Sequence, residues 1–230
     1  MKIEMHVHTA ESSNCGHVPA VEVARAYAGA GYDAVVVTDH YNTPNFSALE
    51  KRDGNSLTKT DRFLAGYRAV KEEGEKLGLK VFLGAELRFV ASNDNDYLVY
   101  GLDEKFFYDH PDLDGLRFSE FLNIKPDGAL VYQAHPFRNG MTVTDPKRLF
   151  GIEVFNGHEG HDSRNSIALQ WAKHFGLHPL AGSDAHRTSA LCRGGILTDR
   201  DVNSMEDLVL ILEAEEYALF TKNLFDRNWR

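Results

Sequence analysis

The first stretch that could do chemistry is His6-Val7-His8-Thr9, at the end of an apolar, strand-like run that starts at Ile3. Side chains two residues apart on a strand point the same way, so both imidazoles can reach one metal ion. Alone, such a pair is as readily two structural or exposed histidines. Repetition changes that reading. Thr38-Asp39-His40 closes a second apolar run, Gly84-Ala85-Glu86 a third, Gln133-Ala134-His135-Pro136 a later one, and Gly182-Ser183-Asp184-Ala185-His186 the last. Imidazoles and carboxylates at the mouth of an apolar core are costly unless paired or coordinating a metal. Five such placements at strand ends point to one shared metal centre. Asp184 and His186 repeat the two-residue spacing, whereas adjacent Asp39 and His40 cannot both face inward from a regular strand. His40 is the expected ligand, with Asp39 as an acceptor that orients a ligating imidazole or as a structural hydrogen-bonding group.

The elements that must position these residues are short apolar, β-branched runs at 3–7, 34–38, 81–85, 98–102, 130–133, 152–155 and 179–181. Each suits a buried parallel strand. Helical patterns at 18–29, 60–77 and 163–175 lie between them, stopping at Gly31, Gly78 and Gly176. About seven such alternations fit a single α/β domain over 1–230, with the strands in a parallel barrel more than in an open sheet. Neither a G-x-x-x-x-G-K-[ST] nor a G-x-G-x-x-G loop is present. Two polar segments, 41–59 and 91–96, break the rhythm. The first reads either as a lid or specificity loop on the active face or as an ordinary surface loop.

Asp and Glu outnumber Lys and Arg by 34 to 25, a net charge of −9. Such a surface repels nucleic-acid backbones, although a metal cluster can reverse the field locally. The two cysteines, Cys15 and Cys192, form neither a disulfide framework nor a four-thiolate zinc site, which fits a reducing compartment. With no signal-peptide pattern and no apolar run near the roughly 20 residues that span a bilayer, the expectation is a cytoplasmic protein without a membrane partner.

In their order, the motifs H-x-H-T, T-D-H, G-A-E, A-H-P and G-S-D-A-H resemble the PHP (polymerase and histidinol phosphatase) superfamily, from Met1 to beyond His186. The resemblance implies a distorted (β/α)₇ TIM-like barrel. It also implies two or three divalent ions, Zn, Mn or Fe, at the C-terminal ends of the strands, and hydrolysis of phosphoesters. Carried over by position, it gives His6, His8, Glu86 and Asp184 to one ion. Glu86 then bridges to a second ion, which His135 also binds, and His40 and His186 hold a third. The third ion usually has a partner in the loop after the first motif. His17 is the choice there, with Cys15 or a water as the alternative, because the loop departs from the commoner spacing. Asp96 stands where the family often has a histidine, and is either an oxygen ligand or a solvated loop carboxylate.

Three carboxylates, Glu86, Asp96 and Asp184, against three divalent ions would leave a cationic pocket for a small phosphorylated metabolite or nucleotide. A hydroxide on the metals could attack phosphorus, so no side-chain nucleophile is required. No Ser–His–Asp or Cys–His arrangement competes with that route. Arg138, and less directly Arg187, could fork onto a phosphate. Asn156 and His158 follow a strand onto the same rim, where they could contact substrate or, for His158, protonate a leaving alkoxide. His110, His161, His174 and His178 read as solvated or capping. The competing reading is a catalytically inactive metal-binding module with a structural or regulatory role. Oligomeric state leaves no readable mark.

Overall fold

The computed structural model describes residues 1–54 and 56–222. Its strands are β1 (Lys2–Val7), β2 (Ala34–Val37), β3 (His40–Tyr41), β4 (Lys80–Arg88), β5 (Asp96–Tyr100), β6 (Leu130–Gln133), β7 (Gly151–Asn156), β8 (His178–Gly182), β9 (Gly194–Leu197) and β10 (Ala218–Thr221). The helices are α1 (Ala20–Gly29), α2 (Thr43–Asp53), α3 (Lys59–Leu77), α4 (Glu104–Asp109), α5 (Phe118–Ile124), α6 (Asn165–Phe175) and α7 (Met205–Glu213). They form one sheet in the order β10-β9-β1-β2-β4-β5-β6-β7-β8, with β3 beside β4. The sheet curls until the chain beyond β8 meets β1 through a Val7–Ala185 bridge. There Asp184 N–H donates to the His6 carbonyl at 2.8 Å, nearly closing a barrel.

Both faces of the strands are buried, which is why they read as continuous apolar runs. Val35, Val37, Leu83, Ala85 and Val99 pack outward on Val23 and Tyr27 of α1 and on Phe63 and Val70 of α3. The alternate residues, among them Ile3, Ala34, Val36, Phe82, Leu98 and Tyr100, pack together inside with Leu208 and Leu212 of α7. Each such fully buried aliphatic side chain is worth about 1.5–3 kcal/mol. Gly78 and Gly176 adopt left-handed backbone (φ 71° and 63°) as the caps of α3 and α6, the conformation behind the stops read there.

Two strands of the sheet depart from the expected parallel set: β9, outside the seven runs read in the sequence, pairs antiparallel with β1 and β10, and β5, one of those seven, is reversed. β5 runs antiparallel to both β4 and β6, because the connection 89–95 is too short for a parallel crossover, which takes about a dozen residues or more. Part of the segment 41–59, read as a loop, is helix α2. The Asn42 side chain caps it by accepting from Asn45 N–H, Pro44 occupies its first turn, and it buries Phe46 and Leu49. Only two large apolar residues on a polar helix left little periodicity to read. Asp96 opens β5 and is fully buried, which removes the solvated-loop alternative. No described helix is long and apolar enough to cross a membrane.

Candidate metal centre

A bulge in β1 aims the first two histidines. The register with β2 shifts between Glu4 and Val7. Glu4 Oε1 accepts from the backbone N–H groups of Met5 and His6, both at 3.0 Å, and of Ser183 at 2.8 Å. The extra residue lets Met5 face inward while Val7 packs in the outer layer, so that His6 and His8 turn together to the mouth of the barrel. Glu86 shares the inner face of β4 with Phe82, and His40 that of Val36. Strand alternation would send His135 outward with Val131. Its positive φ of 28° breaks that alternation, and Asp184 is likewise left-handed at 47°. Non-glycine residues held in that region are concentrated at functional sites.

The ring tautomers follow from partners that can only accept. His6 Nδ1 lies 2.8 Å from Glu153 Oε1 and donates to it, which leaves the Nε2 lone pair for the cluster. Ser13 Oγ donates to Asp39 Oδ1 at 2.7 Å, so its oxygen accepts from His8 Nδ1 at 3.1 Å and from His40 N–H at 3.1 Å. Asp39, which also accepts from Thr9 N–H and Thr9 Oγ1, thus orients His8 through Ser13. His186 Nδ1 donates to the Asp184 carbonyl at 3.0 Å.

The freed lone pairs converge. Glu86 Oε2 lies 2.9 Å from His40 Nδ1, 3.2 Å from His8 Nε2 and 3.5 Å from His6 Nε2. Asp184 Oδ1 lies 3.3 Å from His8 Nε2 and 3.4 Å from His6 Nε2. Among the described residues, nine buried side-chain polar atoms lack a hydrogen-bond partner, and five of them are here: Glu86 Oε2, Asp184 Oδ1, His40 Nδ1, His135 Nδ1 and His161 Nε2. Burial without partners is expensive, and divalent ions are the partners that mixed imidazole and carboxylate donors suit. Three sets of donor atoms lie within 4.8 Å of one another: His6, His8 and Glu86; His8, His40 and His186; and His40, Glu86 and Asp96. Burial alone would lower His6, but Asp184, Glu153 and Glu86 raise it well above the ordinary imidazole range, so without an ion Nε2 also holds a proton, which a bound metal would displace. Burial likewise works against ionised Glu86 and Asp184, yet His40 and His6 hold Glu86, and His6 with His161 holds Asp184, well below the usual carboxylate range.

Above the cluster opens a cavity of about 710 Å³, with Arg88, Arg138, His158, His161 and Arg187 in its wall. The other expected residues fall variously. His135 Nε2 is 3.1 Å from Glu86 Oε1 and 3.8 Å from Asp96 Oδ2. Asp96 is at the centre, but Arg88 grips both its oxygens at 2.7 Å and Arg138 stands 3.4 Å away. His17 and Cys15 are both exposed and both line the cavity; the His17 side chain makes no hydrogen bond among the described residues, and Cys15 Sγ lies 3.1 Å from His186 Nε2. Burial would raise the Cys15 thiol, but the His40 and His186 imidazoles hold it down to about 5.

Asn156, expected to touch substrate, is buried beneath the site. Its Nδ2 donates to Glu153 Oε2 and Asp184 Oδ2, both at 2.9 Å, and its Oδ1 accepts from His158 N–H and Ser163 Oγ. Every polar atom is spent on holding other site residues. His158 does line the cavity. Burial, with the His161, His186 and His8 imidazoles, holds it down to about 4 against the pull of Asp184, so it is neutral near pH 7 and a poor donor of a proton to an alkoxide. Its Nδ1 accepts from Gly160 N–H at 2.8 Å, which places its own N–H at Nε2.

Three residues were missed. His161, read as solvated, stacks on His158 with ring centroids 4.3 Å apart and brings Nε2 to 3.7 Å from Asp184 Oδ2; its place on the rim after β7 was the signal. Arg88 lies two residues beyond Glu86 and so on the same face. Glu153, buried in the apolar strand β7, also accepts from His135 N–H at 2.9 Å, and a lone carboxylate in such a strand was its signal.

A family model described as PHP-associated matches residues 162–216. No curated protein matches the chain significantly. Among solved structures, it is similar to a two-domain protein from Bacteroides vulgatus containing a predicted PHP-like metal-dependent phosphoesterase, with a TM-score of 0.66 and 22% identity over 96% of this chain. The chain spans only 65% of that protein's length. It is also similar to PsfC from Pseudomonas syringae, with a TM-score of 0.58 and 16% identity, over 94% of this chain and 97% of that one. A third protein, from Bifidobacterium adolescentis and provisionally named a metal-dependent phosphoesterase, gives a TM-score of 0.53 and 14% identity over 91% of this chain and 96% of its own. At these identities the structures speak for the fold, a barrel shared along nearly the whole chain. The matched family segment, the shared fold and the order of the ligand motifs make this chain similar to proteins of the PHP superfamily.

Proposed function

We propose that the protein is a metal-dependent hydrolase of phosphoesters, acting on a small phosphorylated metabolite or nucleotide. The observation that carries this reading is the convergence of two buried, hydrogen-bond-free carboxylate oxygens, Glu86 Oε2 and Asp184 Oδ1, with imidazole nitrogens under a cavity edged by arginines. Two proteins that share the fold bear the name metal-dependent phosphoesterase, one as a prediction and one provisionally, which agrees with this reading.

In this proposal His6, His8, Glu86 and Asp184 hold one ion, Glu86 and His135 with Asp96 a second, and His40 and His186 a third. When bound, divalent ions acidify water and neutralise charge that develops on phosphoryl oxygens. The chain does the rest. Glu153 and Ser13 fix the His6 and His8 tautomers, and Asn156 braces Glu153 against Asp184. Arg138 and Arg187 bind the phosphate, Arg88 being occupied by Asp96. His158 supplies an Nε2–H hydrogen bond to a substrate oxygen. An acidic surface with a local cationic cavity selects a small anion over a long polyanion.

The test is release of inorganic phosphate from a panel of sugar phosphates, nucleotides and amino-alcohol phosphates with Mn²⁺, Zn²⁺ or Fe²⁺. The proposal expects turnover of at least one class and its loss in His6→Ala. Tight metal binding without any phosphate release would replace it by the inactive binding module.

A further inference from the structure

We infer that Cys15 is a protein ligand of the ion held by His40 and His186, making that end of the centre a thiolate site. The inference rests on the metal-centre reading above and adds to it a donor of a different kind.

The loop between β1 and α1 is fastened on both sides of Cys15. Asn14 N–H donates to Asn45 Oδ1 at 2.8 Å, and His17 N–H to the His186 carbonyl at 2.8 Å. These two anchors bring the Cys15 sulfur to 3.1 Å from His186 Nε2. The His186 tautomer matters here. Its Nδ1 proton is committed to the Asp184 carbonyl, so Nε2 presents a lone pair on the side of the sulfur. Two donors thus face each other where one ion would satisfy both. A second sign of a ligand is His40, the other imidazole of this ion, whose Nδ1 is buried and without a hydrogen-bond partner. The imidazoles of His8, His40 and His186 already gather there within 4.8 Å. His17, the alternative in the same loop, lines the same cavity, but its side chain makes no hydrogen bond to the cluster among the described residues.

A sulfur with two imidazoles is a softer set than the rest of the centre, where carboxylates contribute. Soft thiolate and imidazole donors favour Zn²⁺ over Mn²⁺, so the ions of this one centre should differ in preference. Cys15 is also exposed, and so open to oxidants that the carboxylate ligands ignore.

Cobalt(II) is the probe. The whole chain loaded with Co²⁺ should show a thiolate-to-cobalt charge-transfer absorption in the near ultraviolet. Cys15→Ser should lose that absorption, keep the visible cobalt bands of the other ligands, and hold one Zn²⁺ fewer per chain by elemental analysis. Cys192→Ser, at a buried thiol that donates to the Ala26 carbonyl, should change none of these. Visible cobalt bands without the charge-transfer absorption in the wild type would overturn the thiolate ligand and leave the metal centre standing. So would an absorption that survives in Cys15→Ser, or a zinc loss caused by His17→Ala instead. Failure of the wild type to bind cobalt at all would overturn both readings.

Discussion

Replacing Glu153 by glutamine keeps the size of a buried side chain and removes one of its two acceptor oxygens. Those oxygens accept from His6 Nδ1 at 2.8 Å, His135 N–H at 2.9 Å and Asn156 Nδ2 at 2.9 Å. An amide nitrogen must face either His6 or the other two donors. Facing His135 and Asn156, it leaves two buried N–H groups opposed by a third. Facing His6, it forces the imidazole to accept at Nδ1, which moves the proton to Nε2 and blocks the ligating lone pair. Either way a buried donor or acceptor goes unsatisfied, at about 1–3 kcal/mol. Substitutions behind a ligating histidine typically weaken metal binding by about 10–100-fold, or about 1.4–2.8 kcal/mol. We expect Glu153→Gln to lower Zn²⁺ and Mn²⁺ affinity by that factor in competition titrations. The unfolding midpoint should fall at about 2–4 °C per kcal/mol for a chain of this size. Wild-type affinity in a fully folded variant would refute the claim that Glu153 sets the His6 tautomer.

Gly66→Ala should destabilise by about 1–3 kcal/mol and weaken metal binding, because the added carbon would lie 2.0 Å from Thr9 Oγ1 and 2.6 Å from Asp39 Oδ2, in the chain that orients His8. Equilibrium denaturation checks it. Arg138→Ala should raise KM for the phosphorylated substrate by about 10–100-fold, the loss of one charge-assisted hydrogen bond of about 1.5–3 kcal/mol, with a smaller change in kcat. The folded-state pKa of His158 is depressed to about 4, below the unfolded imidazole value. Between those values the unfolded chain binds more protons, so stability falls as pH drops from about 6.5 toward 4, and His158→Asn should flatten part of that slope in melts across the range. Chelation of metal held at about a hundred times its Kd should remove about 2.7 kcal/mol of stability, visible as a lower melting temperature.

How far the sequence could be read depended on whether a residue's place followed from strand alternation. His6 and His8 keep a spacing of two, although only the bulge after Glu4 turns the pair to the cluster, and His40, apart from Asp39, and Glu86 obey strand alternation. His135 does not, since it reaches the cluster through a left-handed residue that no pattern announces. The antiparallel β5 and the polar helix α2 escaped for related reasons: direction depends on connection length, and a helix with two buried apolar residues shows little period. Asn156 was placed on the right rim but with its side chain turned under it, because burial on a rim is set by long-range partners, here Glu153 and Asp184. Cys15 and His17 lie two apart in one loop, and only the tertiary anchors at Asn45 and His186 decide between them.

The central claim is that the converging oxygens and imidazoles exist to hold metal for phosphoester hydrolysis. Its most direct test is elemental analysis of the reconstituted protein and of Asp184→Ala, made on the same samples used for phosphate release. The account predicts two or three divalent ions per wild-type chain, and in Asp184→Ala the loss of at least one ion together with nearly all phosphate release. A folded Asp184→Ala protein that keeps the wild-type metal content and activity would contradict it.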